Sequence, residues 1–90
     1  MFSENKDVKD LYSLILSLET VEDCECLFED LCTAKELEQM AQRVKAAKLL
    51  LEGKTYNQVM ELREISSATL SRVSRCVQYG NGYKRFLKID

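Results

Sequence analysis

Residues Thr55 to Val77, T-Y-N-Q-V-M-E-L-R-E-I-S-S-A-T-L-S-R-V-S-R-C-V, leave the chain few ways to fold. Thr55 followed by Gln58 is a capping box, in which each side chain satisfies a backbone N–H at the start of a helix. That helix spans about residues 56–62. Ser66 is a favoured N-cap and opens a second helix over roughly residues 67–78. Val59, Leu62, Ile65, Leu70, Val73 and Val77 fall on the inward side of the pair, with Ile65 in the turn as its apolar anchor. The outward side of the second helix carries Ser67, Ala68, Ser71, Arg72 and Arg75. A short helix, a tight turn and a two-sided second helix are the parts of a helix-turn-helix, here over about residues 55–78. Such a unit places its second helix in the major groove of DNA. The plainer alternative is an antiparallel helix pair with a polar outer face.

The rest of the chain is helical by the same spacing, and no alternating strand pattern or internal repeat is present. Val8, Leu11, Tyr12, Ile15 and Leu18 define a first helix over roughly residues 6–18. Thr20 caps a second, with Glu22 and Asp23 near its positive end and an apolar face of Val21, Cys24, Leu27, Phe28 and Leu31. Thr33 and Glu36 form a capping box for a third helix that runs to about residue 52. Its stripe is Leu37, Met40, Ala41, Val44, Ala47 and Leu51. Ala46, Leu49 and Leu50 widen it, so its second half is apolar nearly all round, as in a helix central to a core. Gly53 ends it. Gly80-Asn81-Gly82 interrupts after the helix-turn-helix, and residues 83–89 make a last short helix. The expected fold is all-α, six helices in a single domain over residues 1–90.

Ninety residues bury only about 60–65% of the surface of the unfolded chain, so association of two copies is a natural way to complete the core. The net charge of −2 conceals an uneven distribution. Residues 1–42 hold three basic and eleven acidic side chains, and residues 43–90 hold ten basic and four acidic. The basic half is the one suited to phosphate. The start of the chain is acidic and polar, without a signal-peptide core, and no stretch is long enough to span a membrane. The expected location is the cytoplasm. There Cys24, Cys26, Cys32 and Cys76 are expected to be free thiols, buried except for Cys26, which points away from the apolar stripe. Cys24 and Cys26, two apart, point to opposite sides of a helix, and no histidine completes a metal set. Histidine is absent, no glycine-rich phosphate loop follows a strand, and the carboxylates lie on solvated faces. An enzyme is not expected.

The stretch L-C-T-A-K-E-L-E-Q-M-A-Q-R-V-K-A-A-K-L-L-L-E-G-K-T-Y, the helix-turn-helix and R-C-V-Q-Y-G-N-G-Y together resemble the Trp repressor-like YerC/YecD family of Gram-positive bacteria. More distantly they are similar to the Trp repressor. The resemblance covers roughly residues 30–87. It implies an intertwined homodimer whose two helix-turn-helix units read a palindromic operator, with half-sites about one helical turn apart. Lys54 and Arg75 would contact phosphate. Asn57, Ser66, Ser67, Ala68 and Ser71 would meet the DNA, with Arg72 on base or phosphate.

Carried over residue by residue, Thr33, Arg43 and Arg72 match the polar positions that hold L-tryptophan in the Trp repressor. The surroundings differ. Val73 replaces the glycine that makes room for the indole, Asp30 stands for an apolar wall residue, and Cys76 for a serine. L-tryptophan is therefore not expected to bind, which leaves Arg43 and Arg72 for acidic neighbours or for DNA. Two departures touch the reading head: Met60 at a position often small, and Glu64 near where the turn often has glycine. Two other functions stay open. One is a dimeric protein-interaction module, and the other is a repressor that needs a different, unknown corepressor.

Overall fold

The computed structural model describes residues 5–87. They form α1 (Lys6–Leu16), α2 (Val21–Leu31), α3 (Ala34–Leu51), α4 (Tyr56–Glu61), α5 (Ser67–Tyr79) and α6 (Gly82–Phe86), with no strand among the described residues. The chain divides after Ala34 into two compact units.

The first unit holds α1 and α2. The Asn5 side chain caps α1 by accepting the N–H groups of Asp7 and Val8. The expected end at Leu18 moves back to Leu16. The N–H groups of Ser17 and Leu18 bond only three residues back, to Leu14 and Ile15, which tightens the last turn and closes the helix. α2 starts with a full capping box. The Thr20 hydroxyl accepts the N–H of Asp23, and the Asp23 carboxylate accepts that of Thr20. Neither helix has a buried residue. Cys24, expected to be buried, is exposed like Cys26, and Cys32 is half-buried.

The second unit carries the core. Ala46 and Ala47 of α3, Val59 of α4, and Leu70 and Val73 of α5 are its buried residues. Leu49, Leu50, Met60, Ile65, Val77 and Tyr83 pack partly buried around them. α3 begins directly after Thr33, where its capping box placed the start. It ends in a Schellman motif: Gly53 N–H bonds Leu50 carbonyl and Lys54 N–H bonds Leu49 carbonyl. Gly53 has φ 103, a conformation that side-chain-bearing residues rarely adopt. The two alanines are buried in one cluster with Val59, Leu70 and Val73. Leu37 and Val44 of α3 stay more than 40% exposed. α5 stops at Gly80, where a Cβ would lie 2.7 Å from the Cys76 carbonyl oxygen. α6 starts one residue earlier than expected. The end proposed for it, at residue 89, lies outside the described residues.

Candidate nucleic-acid interface

Both helices of the reading head begin with the caps written in the sequence. Thr55 accepts the Gln58 N–H at 3.1 Å, and Gln58 Oε1 accepts the Thr55 N–H at 2.8 Å. The Ser66 hydroxyl accepts the Thr69 N–H and donates to the Thr69 hydroxyl at 2.9 Å. Ser66 is thus occupied in holding the start of α5.

The inward side of α5 is fixed by burial of Leu70 and Val73 against Val59, with Ile65 half-buried in the turn. Met60 adapts to its position by packing on the same core. Leu62, expected inward, is 49% exposed. Leu62 is the C-cap of α4, still in helical backbone geometry, and its side chain lines an open groove at the edge of the core with Leu49 and Val59. The left-handed residue of the turn is Arg63, at φ 55, and not Glu64. Glu64 instead accepts Lys45 Nζ from α3 at 2.7 Å. The Tyr56 hydroxyl donates to the Ser67 carbonyl at 3.2 Å, tying the first turns of α4 and α5 together. Sequence reasoning passed over Lys45 and Tyr56, because neither sits in a cap or on the apolar stripe. Only tertiary placement gives them partners.

On the outward side, Lys54, Asn57, Ser67, Ala68, Ser71, Arg72 and Arg75 are all exposed. Lys54 stands just before α4, Asn57 on its first turn, and the rest along α5. Arg72 and Arg43 of α3 line one open groove with Ala68 and Thr69. Among the described residues neither arginine meets a carboxylate, so the acidic neighbours expected for them are not there. Thr33 lies in the other unit, just before α3. Val73 is 2% exposed and belongs to the core. Cys76 is half-buried.

The sequence model of the Trp repressor protein family matches residues 6–89, nearly the whole chain. The chain belongs to the Trp repressor family. Within that family it is similar to the uncharacterized protein YerC of Bacillus subtilis (strain 168). The two are 45% identical over 76 residues, covering 84% of this chain and 73% of YerC. Two solved structures share the fold. One, of a candidate Trp repressor from Staphylococcus aureus, is 37% identical with a TM-score of 0.85, covering 92% of this chain and 84% of that one. The other, of a TrpR-like protein from Eubacterium eligens ATCC 27750, is 40% identical with a TM-score of 0.82, covering 90% and 84%. The Trp repressor fold is a helix-turn-helix fold of DNA-binding regulators. No helix among the described residues is long and apolar enough to cross a membrane.

Proposed function

We propose that this chain is a sequence-specific DNA-binding regulator of transcription that acts as a homodimer and represses by occupying a palindromic operator. The observation that carries the reading is the two-sidedness of α5. Leu70 and Val73 lock one side into the core, while Ser67, Ala68, Ser71, Arg72 and Arg75 stand exposed on the other. The small residues at its front let the backbone approach base edges. The first N–H groups of α5 have no partner within the helix and suit a phosphate. In this arrangement Ser67, Ala68, Ser71 and Asn57 meet base edges. Lys54 and Arg75 meet phosphate, and Arg72 meets either. Ser66 contributes by keeping the helix start in place.

Dimerisation is favoured by the apolar side chains that one copy leaves uncovered. Leu16 is 85% exposed and Phe86 72% exposed. A monomer rarely shows that much large apolar surface without a partner. The whole chain then works as one domain completed by a second copy, in the bacterial cytoplasm where its DNA lies. The same reading dispenses with L-tryptophan. Arg43 and Arg72 share a groove, but Val73 already occupies buried space at the position where the Trp repressor keeps a glycine for the indole. A filled site cannot regain that burial from polar contacts alone.

The test is the salt dependence of duplex binding. Arg72→Ala and Arg75→Ala should each weaken binding, and each should flatten the slope of log K against log salt by about 1 where a phosphate contact is lost. Two variants with wild-type affinity and slope would remove α5 from the interface.

A further inference from the structure

The turn between α4 and α5 carries a tether that no helix-turn-helix requires. Glu64 receives Lys45 Nζ at 2.7 Å, across 19 positions of chain. The two side chains are 45% and 56% exposed. Both line a narrow crevice together with Gln42, Ala46, Leu49, Val59, Leu62 and Ile65, so the pair spans from α3 to the turn along the edge of the core.

We infer that Lys45 and Glu64 are positioning residues for base reading. This rests on the DNA-binding reading above. A carboxylate in the turn of a reading head repels phosphate, so Glu64 serves through Lys45 and not through DNA. Ile65 packs on the core, and the Tyr56–Ser67 hydrogen bond ties the starts of α4 and α5 to each other. The Lys45–Glu64 pair adds a hold from α3 on the exposed part of the turn and opposes its rotation. Ser66, the cap of α5, is two residues further on, so a rotation at Glu64 passes directly into the direction of α5. Hydrogen bonds to base edges weaken steeply with distance and angle. Long lysine and arginine side chains follow a displaced phosphate easily. Loss of the tether therefore falls on discrimination between sequences more than on total affinity.

The experiment compares the wild type, Lys45→Glu, Glu64→Lys and the double reversal. Each is titrated with the duplex recovered by selection from a random library and with a scrambled duplex of the same length and composition. The ratio of the two affinities cancels the effect of net charge, which acts on both duplexes alike. The ratio should fall about fivefold in each single variant, the upper range for a partly exposed pair, and return to within about twofold in the double variant. Single variants that keep the wild-type ratio, or a double variant no better than the poorer single, overturn the inference. A wild-type protein that selects no duplex overturns the DNA reading instead. The tether is then decided in the free protein by amide hydrogen exchange over residues 63–70. Exchange about fivefold faster in both single variants and restored in the double supports it, and unchanged exchange overturns it.

Discussion

Arg63 shows what a single residue can hide. The sequence directs attention to Glu64, because that is where a turn of this kind often has glycine. The structure puts the left-handed conformation one residue earlier, at φ 55 on Arg63, and uses Glu64 for an ion pair. A side-chain-bearing residue in that region costs about 1–2 kcal/mol, and a β-branched one fits worst. Arg63→Gly should keep or raise stability in urea denaturation, and Arg63→Val should lower it by about 1–2 kcal/mol. A valine variant as stable as the wild type would mean that the turn adopts another backbone. The sign of φ is not written in a sequence once glycine is absent, which is why this detail was not legible. Burial at Leu70 and Val73 was legible, because helical spacing fixes them to one side whatever the neighbours are. Leu62 shares the same spacing and still escapes, because it stands at the rim of the core, where its groove with Leu49 and Val59 is open.

At the scale of helices, the starts were the most readable part of the chain. Thr20, Thr55 and Ser66 each accept the N–H three residues on, as the Ser/Thr-x-x pattern requires. Asp23 gives this a pH signature. Its carboxyl is held below the ordinary carboxylate value, chiefly because it accepts the Glu19 N–H at 3.0 Å; desolvation opposes this, and bonds to the Thr20 side chain and N–H add to the lowering. A depressed folded pKa means the contribution is fully present above the unfolded value, near pH 4, and is lost as pH falls through the lower folded value. The amide signals of Glu19 and Thr20, followed by NMR, should therefore titrate with a midpoint below the ordinary carboxylate value. The transition should vanish in Asp23→Asn. A midpoint at or above the ordinary value contradicts the capping account. What the sequence could not settle is which side of an all-round apolar helix meets the rest of its own chain. α3 buries Ala46 and Ala47 with Val59, Leu70 and Val73, and leaves Leu37 and Val44 exposed. Cys24 is exposed for a related reason: its stripe on α2 has no full cover within the chain.

At the scale of the molecule, the all-helical fold and the paired helices α4 and α5 followed from periodicity, caps and one run of residues between Thr55 and Val77. The buried core is small: among the described residues it consists of Ala46, Ala47, Val59, Leu70 and Val73. That core joins residues of α3, α4 and α5 and so fixes the polar side of α5, whereas large apolar side chains such as Leu16 and Phe86 stay exposed. The acidic half of the chain precedes Arg43 and the basic half contains the reading head, which orients the molecule toward phosphate. The measurement that tests this account most directly is selection from a random duplex library with the purified protein, run with and without L-tryptophan. The account predicts one palindromic site, half-sites about one helical turn apart, enriched equally in both arms. No enriched site in either arm would contradict the DNA reading, and enrichment only with L-tryptophan would contradict the part assigned to Val73.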